Sequence, residues 1–573
     1  MTKDPIHILN SVLEDAREYK KEVWVLLQDM RRCFDSVSCQ RGGMLELGLR
    51  HLKIPNKFIE LCLYVAATKT NRIITAYGLT EAYNPRCGLD QGGVESPLLW
   101  RIVYEVLLAQ VWQSNLGYPM VNRADLRAFH KIPTFEFMHP DTPLKIACLA
   151  FMDDTQWIAP SKANLQEITN RAMSFFALHG IEINPKKSEL IVVNSTCADP
   201  SIRLGADTVT ALPPATAARV LGVWFSADGK GAHTRQLVKE EVSKMCQILS
   251  RKAVTDKQCI YIFNNVLLPR ILYRLAVTIL SPREIKTIVG QYSSVVRQKV
   301  GLPHGSPTSI LFHRRLYGLR DLGDALTEEQ VSTAHLRLND HDLLGMVLAN
   351  RAMAHQAECR LTVSPFLIPA IGAQFSRYNL LGHVCRLMVE RGITFQPPGI
   401  PVNITRFIGF VLPPDVYPKI AHQLLLDGVV TLDDVLTDDG QSLASWQDLR
   451  ARHKLKGPVH RWFKELVKVV SLPPTAATTA AVVIEIDDGK ATTAAASVPS
   501  PVEEDSLVAT SSPLLQYEDD DSSEDEKLIN RALERRRGQQ REAAIISLAH
   551  VPADDRVTAA PTPDRGEAAD SLQ

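Results

Sequence analysis

The sequence predicts an α+β fold that continues into a mostly helical region and ends in an acidic segment without a packed core. Three observations carry this prediction. Up to about residue 235, short apolar strands alternate with amphipathic helices. From 236 to about 470 the apolar periodicity is mostly helical. After residue 472, alanine, threonine and acidic tracts take over, and Tyr517 is the only aromatic residue.

Composition and charge set the broad class of the protein. A chain of 573 residues with 45% apolar content can build two or three folded units. Its 64 basic and 64 acidic residues cancel, but 20 acidic and only 9 basic residues lie after residue 472. The first 472 residues therefore carry an excess of 11 basic side chains, which suits a polyanionic partner without proving one.

The cysteines and the N-terminus argue against a secreted or membrane-spanning protein. The ten cysteines are scattered, with neither a C-x-x-C pair nor zinc-site spacing, and are interpreted as reduced thiols. No run of 18 apolar residues occurs, and the first 22 residues mix both charges in place of a signal-peptide core. We expect a soluble intracellular protein of the cytoplasm or the nucleus.

The elements before residue 235 follow from capping signals and periodicity. Asp4 is the predicted N-cap of the first helix with Pro5 at its first position, and Ser96 is the predicted cap of a later one. A helix starting after Ser161 ends at Gly180. The predicted helices are 4–21, 41–52, 56–66, 95–112 and 161–180, and the predicted strands are 23–29, the two runs around 150–159, 183–194 and 220–226.

One short stretch, "AFMDDTQWIA" at 150–159, places two aspartates between two apolar runs. This pattern predicts a β-hairpin with the acidic pair at its turn. The simplest interpretation is a polar turn, because Asp is a preferred turn residue. A functional interpretation requires cations and further oxygen ligands, since adjacent carboxylates repel each other. Asp29 is the natural candidate, because a β-α-β-hairpin arrangement would lay the end of strand 23–29 beside this turn.

Five segments in order give the acidic pair its context: "DMRRCFDSV" (29–37), "GLDQGGVESPLL" (88–99), "FMDD" (151–154), "GIEINPKKS" (180–188) and "LGVWFSADG" (221–229). They resemble motifs A to E of reverse transcriptases, most closely those of non-LTR (LINE-type) retrotransposons. The resemblance covers residues 5 to about 340. It implies a palm, which is an antiparallel sheet with helices on one face, followed by a helical thumb.

The resemblance also suggests a division of the chain. Residues 1–235 are expected to form the palm with a remnant of the fingers, and 236–340 the helical thumb or connection. Residues 341–472 are expected to be a further helical region, a prediction that depends only on helical periodicity. Residues 473–573 are expected to be an acidic, mostly disordered tail. Only 28 residues precede Asp29, whereas members of the family carry a fingers region there, so we expect an N-terminally truncated chain.

The metal and proton-transfer residues are carried over from the family motifs. The resemblance implies that Asp29 and Asp153 bind the catalytic metals, that Asp154 completes the triad, and that the Met30 carbonyl is a further ligand. Two Mg²⁺ ions are the expected cofactors, with Mn²⁺ as an alternative. Lys187 matches the lysine that protonates the leaving pyrophosphate; the simpler interpretation is a solvated turn lysine.

The same resemblance implies three nucleotide-binding residues. Phe34 stands where the family places the aromatic residue that excludes a 2′-hydroxyl, although an ordinary core phenylalanine is an equal alternative. Gln91 matches a residue that contacts the incoming nucleotide. Gly92 lies where the backbone passes close to template or nucleotide, an approach that glycine permits.

Several positions depart from the family pattern. Arg32 and Cys33 replace the common Lys and Ala of motif A. In motif B, Asp90 replaces Pro, Gly93 replaces Ser, and Glu95 replaces an apolar residue. Asp90 and Glu95 add negative charge near a site for a triphosphate, which is expected to weaken nucleotide binding.

These observations predict an RNA-directed DNA polymerase of a retrotransposon. Its expected partners are an RNA template, a DNA primer and dNTPs, and the reaction is attack of the primer 3′-hydroxyl on the α-phosphate. The alternative is a catalytically inactive nucleic-acid-binding remnant of such an element. An RNA-dependent RNA polymerase is disfavoured by Phe34, because ribonucleotide acceptance favours a smaller or polar residue there.

Overall fold

The fold is a small antiparallel sheet surrounded by helices. The computed structural model describes residues 3–85, 87–130, 142–303, 305–361, 363–375, 379–397, 407–438, 440 and 442–470. Residues Met1–Ala481 form one compact unit; the second, Val482–Gln573, and the predicted acidic tail 473–573 lie outside the described residues. No helix in the described ranges is long and apolar enough to cross a membrane.

Strands concentrate before residue 227. They are β1 Val23–Gln28, β2 Met30–Arg31, β3 Ile74–Thr75, β4 Gly78–Leu79, β5 Tyr118–Pro119, β6 Lys145–Ile146, β7 Cys148–Phe151, β8 Asp154–Ala159, β9 Glu182–Ile183, β10 Glu189–Val193, β11 Ser201–Leu204, β12 Asp207–Thr210, β13 Ala217–Val220 and β14 Val223–Ser226.

Helices occur throughout and dominate after residue 231, as the periodicity predicts. They are α1 Lys3–Glu18, α2 Met44–His51, α3 Asn56–Thr68, α4 Ser96–Gln113, α5 Arg123–His130, α6 Lys162–His179, α7 Ala232–Arg251, α8 Asp256–Ile262, α9 Leu268–Arg274, α10 Pro282–Val300, α11 Ser309–Phe312, α12 Leu322–Leu338, α13 Leu343–Glu358, α14 Pro369–Phe375, α15 Leu380–Arg391, α16 Tyr417–Leu426, α17 Trp446–Arg452 and α18 Arg461–Val470. A π-helical turn, Phe263–Leu267, joins α8 to α9, and Ile408–Phe410 is a 3₁₀ turn.

Strand β1 is the centre of the four-stranded sheet, whose order is β10-β1-β8-β7. All six of its residues are buried, as its continuous apolar run predicts. Alternate side chains point to opposite faces. Trp24 and Leu26 join a core with α4 and α6, whereas Val25 and Leu27 join one with α1, α13 and α15. Helices therefore cover both faces of the sheet, and not one face alone as the resemblance implied.

Three local predictions are corrected by the structure. Asp4 lies inside the first turn of α1, where its carboxylate pairs with Arg337 at 2.8 Å instead of capping the helix. Ser96 is the first residue of α4; Glu95 holds the N-cap position and makes no side-chain capping bond. The predicted strand 220–226 is a hairpin, because Leu221 and Gly222 both have positive φ and form a two-residue turn between β13 and β14.

A buried ion pair joins the beginning of the chain to α13. Arg351 and Asp15 are 2% and 0% exposed, and Arg351 Nη1 lies 3.4 Å from Asp15 Oδ1. The Tyr118 hydroxyl donates to the same carboxylate at 2.8 Å, and the Val121 N–H donates at 3.3 Å. Since an unpaired buried charge is costly, α1 and α13 stabilise each other across 336 positions of sequence.

We expect Arg351→Met to lower the free energy of unfolding by about 3 kcal/mol, because the buried Asp15 would keep only the more distant Lys21, at 3.8 Å, as a counter-ion. Urea denaturation would measure the loss. Arg320→Met, which breaks the exposed pair with Glu328, is the control and should cost less than about 1 kcal/mol. Asp15→Asn combined with Arg351→Met should recover part of the loss; equal losses in the single and double variants would contradict this account.

Candidate active site

The sheet register brings Asp29 to the acidic hairpin. Strands β1 and β8 are antiparallel with Gln28 opposite Thr155, so the next position in register sets Asp29 opposite Asp154. Strands β7 and β8 pair Phe151 with Asp154, which leaves Met152 and Asp153 as the turn. The alternation of side chains sets Asp29 and Asp154 on the sheet face that α1 also covers.

Helix α4 holds the hairpin turn from the other face. Met152 has a φ of +58°, an uncommon conformation for a residue other than glycine. Its carbonyl accepts a hydrogen bond from Trp100 Nε1 at 3.0 Å. One helical turn later, the Tyr104 hydroxyl lies 2.9 Å from the Thr155 hydroxyl, in the first part of β8. These two bonds fix the turn that carries Asp153.

The carboxylates at this end of the sheet act on one another. Partial desolvation raises the pKa of Asp154, whose carboxylate still reaches solvent, and the neighbouring charges of Asp153 and Asp29 raise the pKa further. Arg219, on β13, opposes this effect and lowers the pKa of Asp154. Burial also raises the pKa of the Cys33 thiol to about 12, with a contribution from the Asp153 charge. The site therefore concentrates negative charge that a cation would relieve.

The carboxylate oxygens of this site are suitable ligands for a divalent cation, but the side chains are not gathered around one ion position. Carboxylate oxygens are the ligands that Mg²⁺ prefers, and Asp29, Asp153 and Asp154 supply them. Within the described ranges, however, no three His, Cys, Asp or Glu side chains lie close enough to hold one ion together. The Met30 side chain is buried in the core with α4, and Met30 pairs with Ile183 in the β2–β9 ladder.

Lys187 lies in a turn that is bonded to the Asp29 backbone. The Asn184 N–H donates to the Asp29 carbonyl at 2.9 Å, and the Asp29 N–H donates weakly to Ser188 Oγ at 3.4 Å. The Lys187 N–H closes the turn on the Asn184 carbonyl at 3.1 Å, and its side chain is exposed. Lys187 and Asp29 are thus held on neighbouring segments.

Phe34 and the loop with Gln91 and Gly92 also meet. The Leu89 N–H donates to the Phe34 carbonyl at 2.9 Å, which ties the loop to the segment after Asp29. The Phe34 ring is half-buried, with its centroid 5.8 Å from that of Trp100. Gln91 is exposed. Gly92 adopts a φ of +97°, a backbone conformation that residues other than glycine rarely adopt.

The charge of Asp90, expected to oppose a triphosphate, is partnered in the structure. Lys69 Nζ donates to its carboxylate at 2.9 Å and Asn71 Nδ2 donates at 3.3 Å. The bond from Lys69 is the main reason that the pKa of Asp90 is lowered. This pair has no local signal in the sequence, because Lys69 precedes Asp90 by 21 positions.

Three residues of the site were missed by sequence reasoning. Trp100 has a signal in retrospect, since Trp100 and Tyr104 are aromatic residues one helical turn apart and stack at 5.2 Å. Gln156 interrupts an apolar strand; it is 2% exposed, and neither amide atom has a partner in the described part of the chain. Arg219 has no local signal, because only the fold brings β13 to Asp154.

Residues 2–225 match the family model described as "Reverse transcriptase (RNA-dependent DNA polymerase)". This range contains the first four motifs and residues 221–225 of the fifth.

Two relatives are Pol polyproteins of R2 elements. The retrovirus-related Pol polyprotein from type-1 retrotransposable element R2 of Nasonia vitripennis is 22% identical over 308 residues, which are 52% of this chain and 27% of that protein. The polyprotein from type-2 retrotransposable element R2DM of Drosophila melanogaster is 22% identical over 321 residues, 54% of this chain and 27% of that protein. The chain thus spans about a quarter of the length of these relatives.

Among solved structures, telomerase from Candida albicans, in complex with the TWJ fragment of telomeric RNA, matches 66% of this chain and 54% of its own at 14% identity and a TM-score of 0.28. Apo telomerase from Candida tropicalis matches 61% of this chain and 57% of its own at 12% identity, also with a TM-score of 0.28. Residues 2–225 thus match a reverse-transcriptase family model, and about half of the chain is similar to Pol polyproteins of R2 retrotransposable elements.

Proposed function

We propose that this chain is an RNA-directed DNA polymerase of a retrotransposon, which adds dNTPs to a DNA primer on an RNA template. The observation that carries the proposal is the β1–β8 register, which sets Asp29 opposite Asp154 at the turn that holds Asp153. Reverse transcriptases in general use divalent metal ions. The ions proposed here are two Mg²⁺, with Mn²⁺ as an alternative.

In this proposal Asp29, Asp153 and Asp154 hold the metals, with the Met30 carbonyl as a further ligand. When bound, the two ions would activate the primer 3′-hydroxyl and neutralise the leaving pyrophosphate. The exposed Lys187 side chain would give a proton to that pyrophosphate. Its turn is bonded to the Asp29 backbone, which supports this role.

The nucleotide-binding roles rest on the loop contacts. Phe34 would lie beneath the sugar and exclude a 2′-hydroxyl by its volume, while the exposed Gln91 would contact the nucleotide. Gly92 would let the backbone approach it closely. The bond from Leu89 to the Phe34 carbonyl couples these segments, so they would respond together to a bound nucleotide.

The wider arrangement is proposed as in the family. Residues 1–235 would serve as the palm and 236–340 as the thumb. Of the region 341–472, helices α13 and α15 share a core with α1. The second candidate function is an inactive nucleic-acid-binding remnant. It is favoured by the spacing of the carboxylates, since no described group of three is gathered around one ion position.

Primer extension on an RNA template decides between these two functions. We expect the wild-type chain to extend the primer with Mg²⁺, and Asp153→Asn to reduce the rate by at least about 100-fold, because the loss of a direct metal ligand should exceed that of an outer-shell group. Asp207→Asn is the matched control, since Asp207 is an exposed aspartate at another hairpin turn. A wild-type chain that binds the primer–template without extending it would instead be the inactive remnant.

The stability of Asp154→Asn tests whether the carboxylates repel one another. In EDTA we expect this variant to be more stable than the wild type, by less than about 1 kcal/mol because solvent screens the exposed Asp154. Asp207→Asn should leave the stability unchanged. Thermal unfolding of the three proteins would provide the comparison, and a loss of stability in Asp154→Asn would favour a purely structural turn.

The role of Phe34 is tested by sugar selectivity. We expect Phe34→Ala to lower the ratio of kcat/KM for dNTP over rNTP by at least about ten-fold, since only steric volume is removed. Phe175→Ala removes another half-buried phenylalanine, on α6, and should leave the ratio unchanged. An unchanged ratio in Phe34→Ala, in a protein that still extends primers, would assign Phe34 to the core alone.

A further inference from the structure

The segment 450–468 concentrates positive charge. It carries seven basic and one acidic side chain, a net charge of +6 against the +11 of residues 1–472. All seven basic side chains are exposed. Its helices, α17 and α18, pack in a core that is built from residues between Cys359 and Val469 and, among the described residues, contains none of the sheet. The segment is therefore separate from the candidate active site.

Helix α18 divides its apolar and its basic side chains between two faces. Trp462 and Leu466 are fully buried in the core. Arg461, Lys464 and Lys468 follow one another at intervals of three and four positions, so they form one stripe on the solvent side of the helix. We call these three residues the α18 stripe. The apolar face holds the helix in place, and the stripe is free to meet a partner.

Most cations of the segment have no carboxylate partner. Arg452 pairs with Asp438 at 3.0 Å, and Lys468 pairs with Glu465 at 3.1 Å. The other five form no ion pair with any residue that the structure describes: Arg450, Lys454, Lys456, Arg461 and Lys464. Like charges three or four positions apart destabilise a helix, so an anion bound along the α18 stripe would relieve a repulsion.

The turn before α18 brings a further lysine to the stripe. His460 Nε2 lies 3.1 Å from the Lys456 carbonyl oxygen, which sets Lys456 beside the turn that begins with Arg461. His460 Nδ1 lies 2.5 Å from Asp427 Oδ2, and Trp462 Nε1 donates to the same oxygen at 2.6 Å. The Asp427 side chain is only 8% exposed, so it anchors the start of α18 and offers little charge to a ligand in solvent.

The acidic turn 434–438 packs beside the end of α17. Arg452 Nη1 donates to the Leu436 carbonyl at 2.8 Å, and Arg452 Nη2 donates to the Asp438 carboxylate at 3.0 Å. The neighbouring His453 Nε2 lies 2.8 Å from the Asp434 carbonyl oxygen. The charge of this turn is thus met by Arg452. Of the acidic side chains that the structure describes, only Glu465 lies within ion-pair distance of the α18 stripe.

Aromatic rings border the stripe. Trp446 of α17 is half-buried, and its ring centroid lies 5.1 Å from that of His460 and 5.4 Å from that of Phe463. Phe463 is also half-buried and precedes Lys464. Partly exposed rings beside cations suit a single-stranded nucleic acid, because its bases stack on the rings while its phosphates meet the cations. A lipid surface fits less well, since the apolar face of α18 is already buried in the core.

We infer that the segment 450–468 is a binding surface for a single-stranded nucleic acid, with the phosphates held by Lys456 and the α18 stripe. From Arg461 to Lys468 the stripe extends about 10 Å along the helix axis, enough for about three successive phosphates of one strand. The strand is either RNA or DNA. This surface lies outside the polymerase site proposed above and does not depend on that function.

Fluorescence anisotropy of the full chain with a labelled RNA of about 20 nucleotides, in EDTA and at about 50 mM salt, tests the inference. We expect Arg461→Gln/Lys464→Gln to weaken binding at least about five-fold. The slope of log Kd against log salt should fall by about 1.4, since each lost phosphate contact removes about 0.7. Both side chains are exposed and unpaired in the described ranges, so this variant should fold.

Lys162→Gln/Arg203→Gln is the matched control, because it also removes one lysine and one arginine, from the surface of α6 and β11. It should bind RNA as the wild type does. Binding at the candidate active site would contribute equally to both double variants, so the difference between them reports on the segment 450–468 alone. DNA of the same sequence, titrated in parallel, shows which strand binds more tightly.

Photocrosslinking of RNA that contains 4-thiouridine locates the contact, and we expect crosslinks on peptides with Trp446 or Phe463. Equal RNA affinity in the wild type and Arg461→Gln/Lys464→Gln, equal weakening in both double variants, or crosslinks confined to residues before 340 would overturn the inference. Binding to phosphatidylserine vesicles that this variant loses while it still binds RNA would assign the surface to lipid instead. None of these readouts depends on whether the chain extends primers.

Discussion

The antiparallel pairing of β1 with its two neighbours is the constraint on which the candidate site depends. A one-residue slip between β1 and β8 would send Trp24 and Leu26 to the opposite face and Asp29 into the core with α4. The buried tryptophans on either side of the pairing make such a slip costly, because Trp24 and Trp157 are both fully buried. The position of the carboxylates is thus set by apolar packing about three residues away and not by the carboxylates themselves.

The neighbouring carboxylates at this end of the sheet destabilise it locally, because they repel one another. Asp154 lies near two other carboxylates and Met152 is held in a left-handed conformation. Gln156 is buried, and its amide has no partner among the residues that the structure describes. Each feature is unfavourable alone, and such features concentrate where a protein binds or reacts. The compensating bonds come from the other face of the sheet, where Trp100 and Tyr104 of α4 hold the hairpin.

The sequence allowed prediction of those parts of the fold that depend on short-range patterns. The apolar run of β1, the cap of α6 at Ser161 and its end at Gly180 are all present in the structure. The β13–β14 turn was missed, since Leu221 continues the apolar run and only its φ reveals the turn. Long-range partners were out of reach: the Lys69–Asp90 pair, the approach of Arg219 to Asp154 and the engagement of Asp4 by Arg337 all require the folded chain. For the site, the motifs located the segments, and the sheet register supplied their relation.

The Arg351–Asp15 pair limits which segments of this protein can be removed or replaced separately. It lies in a core that contains residues of α1 and β1 as well as of α12, α13 and α15, so the segment beyond residue 340 is part of the interior that supports the sheet. A deletion that removed this segment would strip α1 of part of its apolar cover and leave Asp15 with Lys21 as its remaining counter-ion. The strands that carry the candidate site and the helices beyond residue 340 therefore form one physical unit, and a replacement of either part requires a matching α1–α13 interface.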